Sequence, residues 1–379
     1  MSEPLRVLNI TTVLDAAGIE SFIMNMYRNI DRDEVQFDFM VMRDEKEFYD
    51  DEIKQLGGKK YTISVTGKNT LFRILKESRE LYKFLKKNPY EIVHIHYTTP
   101  LRCFYLRAAK RAGVPVRIYH SHSAEVSGKS GLKLSIYDHC RNNITKWATH
   151  FWACSQAAAR WMYSGKALAN SKVIYNGINV KKFGYDENVR KEVRKELGLE
   201  GKYVVIHTGR FLDQKNHSFI IKVFGELKKK CPEAKLLLLG TGELVDEIKS
   251  QVKELSLEKD VEFLGVRSDV NRVLNGADCY IMPSLYEGLP VAAVEAQCSG
   301  LPCVLSTNIT DEVRLTDKTV FLSLDEPVEK WCEVLLSFKN TVRKDGSESV
   351  KKAGYDVKDV AKGLQDFYLE NSGDGKNDR

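Results

Sequence analysis

Residues 282–306 read MPSLYEGLPVAAVEAQCSGLPCVLS, and this stretch predicts three structural elements. An apolar run that ends near Ser284 is typical of a buried strand. Residues 290–298 have the composition of a helix with a proline in its first turn, where the missing N–H costs nothing. Gly300 ends that helix, and Pro302 starts a second apolar run. The order strand, turn, helix, strand predicts an α/β sheet, in which ligands bind at the carboxyl ends of the strands.

Two carboxylates stand in this stretch, Glu287 in the turn and Glu295 in the helix. Because Glu287 precedes the helix, both carboxylates can face one cleft. The N–H groups of Gly288 and Leu289 are expected to point into the same cleft, where they could bind anionic or hydroxyl oxygens. A carboxylate suits a vicinal diol such as that of a ribose. Glu295 could instead be a solvated helix residue, but its neighbours are apolar, and a Glu among them needs a polar partner.

The pattern Pro-Ser-x-x-Glu-Gly-x-Pro-x-x-x-x-Glu-Ala-x-x-x-Gly-x-Pro resembles the signature of the family 4 retaining glycosyltransferases. The likeness is to bacterial exopolysaccharide and capsule enzymes and runs from about residue 6 to about residue 368. It implies the GT-B fold, which is α/β with two Rossmann-like doubly wound domains facing a cleft. The expected parts are an acceptor-side domain (1–180), a nucleotide-sugar domain (181–354), a helix crossing back to the first domain (355–370) and a disordered tail (371–379).

A loop with two cations follows the apolar run at residues 204–208. It begins at Gly209 and carries Arg210 and Lys215. The resemblance implies that this loop binds the donor diphosphate through Arg210 and Lys215. Two cations at a βα loop, just before a helix, can neutralise a diphosphate leaving group.

Four further positions are assigned to donor binding. Gly18 opens an amphipathic helix after the first loop, where the resembling family has two glycines and this chain has Ala17 and Gly18. Gly240 and Gly242 form a tight strand-to-helix turn that is expected to line the nucleotide cleft, although Gly-x-Gly alone is a weak signal. The resemblance implies that Val266 meets the base through its backbone.

Four histidines occur as two pairs at period two, His94 with His96 and His120 with His122. Each pair is predicted to lie on one face of a strand. Two pairs without an added Asp or Cys are thin evidence for a metal site, so no metal is predicted. The resemblance implies that His122 lies near the donor sugar, where it could donate to a hydroxyl or a phosphate. For His94 a satisfied core residue is the preferred interpretation.

Composition is that of a globular protein of 379 residues, 43% of them hydrophobic. The length predicts two to three domains. No apolar run reaches the roughly 18 residues that span a bilayer, and the chain opens on a predicted strand, so no signal peptide is predicted. The eight cysteines are scattered without a Cys-x-x-Cys pair, which favours reduced thiols and a cytoplasmic protein. A peripheral position on the inner face of the plasma membrane is a further expectation.

Charge is distributed unevenly. Residues 1–180 hold 27 Lys and Arg against 18 Asp and Glu, a net of +9, whereas the whole chain has +6. Residues 61–180 alone hold 19 basic against 5 acidic side chains. Such an excess can meet an anionic membrane or a phosphorylated substrate, or be a solvated basic surface. Residues 128–149 mix lysines with apolar residues, as an interfacial helix or an ordinary domain helix would. No nucleic-acid module is recognised, and no nucleic-acid partner is predicted.

The predicted function is transfer of a sugar, with retention, from a nucleotide sugar that is expected to be a UDP-sugar. The acceptor is a hydroxyl of a lipid-linked or growing glycan in exopolysaccharide or capsule biosynthesis. Glu295 is predicted to hold the ribose, Arg210 and Lys215 to neutralise the diphosphate, and Glu287 to meet the sugar hydroxyls, with His122 as a further catalytic residue. Neither a metal nor a cofactor is expected.

Two other functions stay open at this point. A nucleotide-sugar epimerase of the same fold would turn over its donor without an acceptor. A catalytically silent nucleotide-binding scaffold would bind donor and turn over nothing. The paired glutamates of the signature argue against the epimerase, and the presence of Arg210 and Lys215 together with both glutamates argues against the scaffold.

Overall fold

A computed structural model describes residues 3–15, 18–67, 69–122 and 131–373 of the chain. The chain divides into two compact units. Unit 1 runs to Gly177 and takes up the chain again at Val357, and unit 2 is Ile178–Asp356. The boundaries that the sequence predicts, after residues 180 and 354, therefore lie within a few residues of those in the structure.

Strands and helices alternate along the described chain. The strands are β1 (Leu5–Ile10), β2 (Val35–Val41), β3 (Lys59–Thr62), β4 (Ile92–Tyr97), β5 (Val116–Ser121), β6 (His150–Ala153), β7 (Ser171–Val173), β8 (Tyr203–Thr208), β9 (Ala234–Leu239), β10 (Val261–Gly265), β11 (Cys279–Met282), β12 (Cys303–Ser306) and β13 (Thr319–Leu322). The α-helices are α1 (Gly18–Asn29), α2 (Asp50–Gln55), α3 (Thr70–Lys87), α4 (Cys103–Ala112), α5 (Leu132–Trp147), α6 (Gln156–Met162), α7 (Gly165–Ala169), α8 (Val180–Phe183), α9 (Glu187–Glu196), α10 (His217–Lys230), α11 (Val245–Glu254), α12 (Val270–Gly276), α13 (Val291–Cys298), α14 (Val328–Ser337), α15 (Ser347–Lys352) and α16 (Val357–Asn371). Short 3-10 turns occupy Pro100–Arg102, Asp213–Lys215 and Asp311–Val313.

The described sheet of unit 1 is parallel throughout, in the order β3-β2-β1-β4-β5-β6-β7. Its central strands are almost entirely buried because helices cover both faces, whereas the edge strands β3 and β7 are partly exposed. Helices α3, α4 and α5 pack on one face, and α1, α2 and α16 pack on the other. The strand order reverses between β1 and β4, and Asn9 of β1 lies opposite His94 of β4 at that position.

Helix α16 completes unit 1, as the crossing-back helix was predicted to do. It packs against α1 and buries Val357, Ala361, Leu364 and Tyr368 in the core that also holds Trp152. The helix ends at Asn371, and the following Ser372 is only 5% exposed. The predicted disordered tail is therefore wrong for residues 371–373, because the end of the helix holds them, and residues 374–379 lie outside the described ranges.

Unit 2 has a second parallel sheet, in the order β10-β9-β8-β11-β12-β13, which repeats the winding of unit 1. Its strand order reverses between β8 and β11, so a crevice is expected outside the carboxyl ends of those two strands. Pro290 precedes α13 as its N-cap with ψ at 102°, rather than occupying the first turn. The prediction of a helix from residue 290 is wrong by this one residue because its backbone is extended.

Among the described residues, no helix is both long enough and apolar enough to cross a bilayer.

Candidate active site

The site in unit 2 is built on the loops that follow β8 and β11. These strands are hydrogen-bonded neighbours, with Tyr280 opposite Ile206. The loop after β8 runs through residues 209–216 and the loop after β11 through residues 283–290. Both loops leave the same edge of the sheet, at the position where the strand order reverses. The sequence-predicted residues Arg210, Lys215 and Glu287 are therefore brought to one edge by the topology.

A short ion pair joins the two loops. Nζ of Lys215 lies 2.6 Å from Oε1 of Glu287, and the side chains are 17% and 8% exposed. Gln214 donates from Nε2 to Oε2 of Glu287 at 3.3 Å and to the carbonyl of Tyr286 at 3.0 Å. The Leu285 N–H in turn donates to the carbonyl of Gln214 at 2.8 Å. The carboxylate and the ammonium are thus held at fixed positions by the backbone of both loops.

Arg210 differs from Lys215 in its surroundings. Its side chain is exposed, and within the described ranges the guanidinium has no hydrogen-bond or ion-pair partner. A guanidinium without an internal acceptor can turn its planar fork to the oxygens of a phosphate. The loop after β8 therefore offers one anchored cation and one available cation.

Glycines allow the neighbouring loops to touch. A Cβ atom on Gly240 would lie 2.0 Å from the carbonyl oxygen of Gly209, and one on Gly242 would lie 2.4 Å from that of Phe211. Neither position therefore accepts a side chain, because real Cβ contacts are never so short. A Cβ on Gly209 would lie 2.9 Å from Nε2 of His207 and 3.3 Å from Cδ of Lys215, so this glycine makes room for the histidine ring and the lysine stem. The three glycines have a structural reason here, and their predicted contact with the donor remains a prediction.

Two buried histidines lie beneath the loop after β8, and the sequence reasoning missed both. His207 and His217 are 0% and 1% exposed, with ring centroids 4.8 Å apart, and His217 stacks on Phe211 at 4.0 Å. Burial lowers the pKa of His217 to about 4, and the charge of Lys215 adds to this effect. Burial also holds the pKa of His207 well below its ordinary value. Both rings are therefore neutral at physiological pH, and Lys215 is the cation of this group.

Glu295 lies on α13, half-buried among apolar neighbours. Within the described part of the chain its carboxylate has no hydrogen-bond partner. Burial raises the pKa of Glu295 to about 7, and the nearby charge of Lys182 opposes this rise. The carboxylates of Glu287 and Glu295 both add to the rise that burial causes in the pKa of Tyr280, so both lie near that ring. The sequence analysis predicted that Glu295 needs a polar partner, and the described residues supply none to its carboxylate, so its contact with a ribose remains a prediction.

The remaining predicted donor residues of unit 2 are accessible. Gly288 and Leu289 are half-buried in the turn before α13, whose N-cap is a proline with no side-chain cap. Val266 is 79% exposed and follows Gly265, whose φ of +63° turns the chain at the end of β10. No described contact assigns any of the three to a ligand, so their roles remain predictions.

Unit 1, described by itself, holds a cluster of the four histidines. Strands β4 and β5 are neighbours in register, with His96 opposite His120, so both pairs project from one face. His94 bonds to His120 (Nε2 to Nδ1, 3.2 Å) and His96 to His122 (Nδ1 to Nε2, 3.0 Å). Nδ1 of His94 also bonds to the hydroxyl of Tyr368 on α16 at 2.7 Å. Both nitrogens of His94 are thus satisfied in the core, as preferred for that residue.

Three of these rings lie close together in the structure, although the sequence showed only two pairs on separate strands. One ring nitrogen from each of His94, His96 and His120 lies within 4.8 Å of the others, a spacing that could hold a metal ion. The pairing of β4 with β5 is what creates this proximity. Gly18 is the first residue of α1, and its predicted contact with the donor remains a prediction. The loop residues Ala16 and Ala17 before it lie outside the described ranges.

In comparisons with known proteins, both units match glycosyltransferases. Residues 16–182 match the family described as Glycosyltransferase Family 4, and residues 189–313 match the family described as Glycosyl transferases group 1. EpsF of Bacillus subtilis (strain 168), described as a glycosyltransferase, is 33% identical over 378 residues, which cover 97% of each chain. The Escherichia coli UDP-Gal:alpha-D-GlcNAc-diphosphoundecaprenol alpha-1,3-galactosyltransferase is 30% identical over 253 residues, covering 62% of this chain and 63% of that one.

Solved structures show the same fold. HepE of Anabaena in complex with UDP superposes with a TM-score of 0.77 at 18% identity, covering 96% of this chain and 99% of that one. The same protein in complex with UDP-glucose gives a TM-score of 0.74 at 19% identity, again over 96% and 99%.

Proposed function

The chain belongs to glycosyltransferase family 4 and has the GT-B fold, and on that premise we propose that it transfers a sugar from a UDP-sugar to a glycan hydroxyl. The transfer proceeds with retention of the anomeric configuration. The acceptor is a lipid-linked or growing glycan of exopolysaccharide or capsule biosynthesis. The observation that carries the proposal is the Lys215–Glu287 pair at the reversal of strand order in unit 2, together with Arg210 on the same loop as Lys215, which has no partner among the described residues.

The cations act on the leaving group. As the bond between sugar and diphosphate breaks, negative charge accumulates on the diphosphate oxygens. Arg210, exposed and without a partner in the described chain, takes the outer oxygens in a bidentate contact. Lys215 is held by Glu287 and shifts its hydrogen bonds toward the diphosphate as the charge grows. This is electrostatic stabilisation of the transition state by preorganised groups.

The two glutamates recognise the two ends of the donor. Glu295 accepts hydrogen bonds from the ribose diol, and these supply the polar partners that the half-buried carboxylate otherwise lacks. Glu287 uses its remaining lone pairs for hydroxyls of the donor sugar, next to the bond that breaks. His122 adds a hydrogen bond to the sugar or to the acceptor hydroxyl. We assign no protein nucleophile.

Related proteins support the choice of donor and acceptor. HepE has been solved with UDP and with UDP-glucose, and the E. coli relative is named for a UDP-Gal donor and a diphosphoundecaprenol acceptor. By analogy, we assign this chain a UDP-sugar and a polyprenyl-diphosphate-linked glycan. The transfer itself requires neither metal nor cofactor in this proposal, since Arg210 and Lys215 supply the positive charge.

A lipid-linked acceptor requires access to a membrane surface, and we place it on the helix layer of unit 1 formed by α3, α4 and α5. Helix α3 exposes Leu71, Phe72 and Leu75 to 43%, 54% and 44%. Lys76 lies 4.6 Å above the ring of Phe72. Apolar side chains interleaved with lysine and arginine are typical of a helix that lies in an anionic interface. Lys129 of the segment 128–149 lies outside the described residues, whereas α5 exposes Leu134 and Ile136.

One assay tests the function. The chain is incubated with a panel of radiolabelled UDP-sugars, with and without polyprenyl-diphosphate glycans, and both products are separated. We expect UDP release and label in the glycan only when donor and acceptor are both present, and a large loss in Arg210→Ala. Conversion of the donor sugar without acceptor would establish the epimerase instead. Stabilisation by UDP in a thermal-shift screen without turnover on any acceptor would indicate the silent scaffold.

A further inference from the structure

We propose that Asn9 and His96 are positioning residues that fix His122 as the tautomer protonated on Nε2, so that its Nδ1 offers a lone pair to a substrate hydroxyl. This inference rests on the proposed function, which gives His122 its place at the substrate. It reverses the direction of the hydrogen bond that the sequence analysis predicted for His122. The ring is an acceptor of a hydrogen bond and not a donor to a phosphate oxygen.

The first step is the orientation of the Asn9 amide. Asn9 is 1% exposed in the centre of the unit 1 sheet. Its Nδ2 faces the carbonyl oxygen of Val7 at 3.5 Å, and a carbonyl can only accept, so the amide nitrogen belongs on that side. Oδ1 then faces Nε2 of His96 at 3.1 Å. Because an amide oxygen can only accept, Nε2 of His96 must carry a proton.

The second step is that both rings are neutral. Phe22 of α1 covers them, with ring centroids 6.1 Å from His96 and 5.4 Å from His122. Burial lowers the pKa of His122 to about 3. Burial, together with the neighbouring rings of His94 and His122, holds the pKa of His96 well below its ordinary value. A neutral imidazole carries one proton, so Nδ1 of His96 has a lone pair.

The third step is that the lone pair on Nδ1 of His96 fixes which nitrogen of His122 is protonated. Nδ1 of His96 lies 3.0 Å from Nε2 of His122, so Nε2 of His122 must be the donor of this hydrogen bond. Its own Nδ1 is then without a proton. Within the described ranges, which stop at residue 122 and resume at 131, Nδ1 has no hydrogen-bond partner, and the ring is half-buried. The lone pair therefore remains available for a hydroxyl of the sugar or the acceptor.

The low basicity limits what this lone pair does. A ring whose pKa is about 3 cannot remove a proton from a sugar hydroxyl in the ground state. It can orient the hydroxyl by accepting its hydrogen bond, and it rejects groups that only accept, such as a phosphate oxygen. His122 thus selects and orients a hydroxyl.

A metal site competes with this arrangement for the same atoms. The three converging rings include His96, and both of its nitrogens are already used, by Asn9 and by His122. A metal ion at His96 would displace one of those hydrogen bonds and free either Asn9 or His122. His96 therefore cannot keep its hydrogen bonds to both Asn9 and His122 and also bind a metal ion. One experiment can distinguish these two states.

The experiment is 15N NMR of the full-length chain labelled on its histidine rings, with assignments from His96→Gln and His122→Gln. Long-range 15N–1H correlations distinguish the two neutral tautomers and the cation. At pH 7 we expect His96 and His122 to be neutral and protonated on Nε2. Asn9→Leu, which removes the acceptor, should give His122 a mixture of tautomers. Thr11→Val is the control, because Thr11 is a buried polar residue that follows β1 and its hydroxyl bonds to Glu20 alone among the described residues. This variant should leave the His122 pattern unchanged.

Kinetics provide the second readout. Partners that orient a metal-bound histidine are worth about 10- to 100-fold, and by analogy kcat of Asn9→Leu should fall by roughly that factor. Its affinity for UDP, which has no sugar, should stay as in the original chain. His122 protonated on Nδ1, a cationic His122 or a one-to-one shift of the ring signals on addition of Zn²⁺ would each overturn the proposal. The original chain could show the expected tautomer while His122→Gln keeps full activity. That result would overturn the contact of His122 with the substrate and its proposed role, but the hydrogen-bond directions among Asn9, His96 and His122 would stand.

Discussion

Nζ of Lys215 and Oε1 of Glu287 lie 2.6 Å apart, although 72 residues of sequence separate them. The pair joins the two loops at the reversal of strand order in unit 2, and it is mostly shielded from water. In the proposed reaction the carboxylate has two functions. It holds the lysine in place before the donor arrives, and the lone pairs that Lys215 and Gln214 leave unused accept hydrogen bonds from the sugar hydroxyls. The sequence-based division, with lysine for the diphosphate and glutamate for the sugar, therefore describes two ends of one coupled group.

Coupling of the pair predicts non-additive kinetics. Lys215→Met should lower kcat by about 100- to 1000-fold, the usual cost of removing one stabiliser of a developing charge. Glu287→Gln should lower kcat while leaving UDP affinity nearly unchanged, because the freed lysine still meets the diphosphate. The double variant should lose less than the product of the single losses, with a coupling of about 0.5–3 kcal/mol. Steady-state kinetics and calorimetry with UDP measure these quantities.

Lys222 provides the matched control for that cycle, since it is an exposed lysine on α10 of the same unit. Lys222→Met should change neither kcat nor UDP affinity. Strictly multiplicative losses in Lys215→Met and Glu287→Gln would show that the two side chains act independently. A loss of UDP affinity in Glu287→Gln as large as that in Glu295→Ala would refute the division of roles.

Glu295 should make folding stability depend on pH. Its pKa in the folded chain is raised by burial from 4.5 to about 7. The folded state therefore binds more protons than the unfolded state between these values, and the free energy of unfolding falls as pH rises from about 4.5 to about 7. The limit for this group is about 3 kcal/mol, at 1.36 kcal/mol for each pKa unit. Urea unfolding at several pH values should show this slope in the original chain but not in Glu295→Gln, and identical slopes would contradict it.

The ribose contact of Glu295 is tested with a modified nucleotide. Glu295→Ala removes a charged hydrogen-bond partner, which should weaken UDP binding by about 1.5–3 kcal/mol, or roughly 10- to 200-fold. The original chain should prefer UDP over 2′-deoxy-UDP, because the deoxy compound lacks one hydroxyl of the diol. Glu295→Ala should no longer distinguish the two. If the variant keeps the original preference in calorimetry, Glu295 does not hold the ribose.

Metal independence is the next prediction. Because Arg210 and Lys215 carry the positive charge at the diphosphate, turnover should persist in excess EDTA. Glycosyl transfer is measured after dialysis against the chelator and again after addition of Mg²⁺ or Mn²⁺. Complete loss of activity that either ion restores would show that the two cations do not replace a metal.

Membrane binding should depend on α3. Phe72→Ser with Leu75→Ser should reduce pelleting with anionic vesicles by roughly 3- to 10-fold for each side chain, since half-exposed apolar groups lose part of their burial in the interface. Binding of the original chain should weaken as salt rises, with screening over about 10 Å at 0.1 M. Leu255→Ser is the control, because Leu255 is 47% exposed in unit 2. Equal pelleting with neutral and anionic vesicles would remove the electrostatic part of the proposal.

Local signals in the sequence predicted the fold well. Apolar runs bounded by proline and glycine gave β11, α13 and β12 to within two residues, because burial on both faces makes such strands continuous. The resemblance supplied the site residues, and the topology then brought Lys215 to Glu287. The distance between them could not come from spacing, since β8 and β11 are neighbours only because the strand order reverses.

The histidines show where sequence reasoning stops. Period two placed His94 and His96 on one face of their strand, and His120 and His122 on one face of theirs, but it could not pair β4 with β5. Asn9 was visible only as a polar residue in an apolar run, because its partner His96 lies 87 residues away. His207 and His217 likewise needed the packed structure, since their neutrality follows from burial. Such groups have no local signature, because the neighbour that defines each one is distant in sequence.

The hydrogen bond between Tyr368 and His94 has a consequence for how the chain is made. Unit 1 is discontinuous in sequence, and its helix α16 is synthesised only after the whole of unit 2. Before α16 is synthesised, the core around Trp152 is exposed to solvent, and His94 lacks its hydrogen bond to the hydroxyl of Tyr368. Unit 2 is continuous and is complete before that moment. Although domains usually fold in order from the N-terminus during synthesis, here the unit that is begun first is finished last.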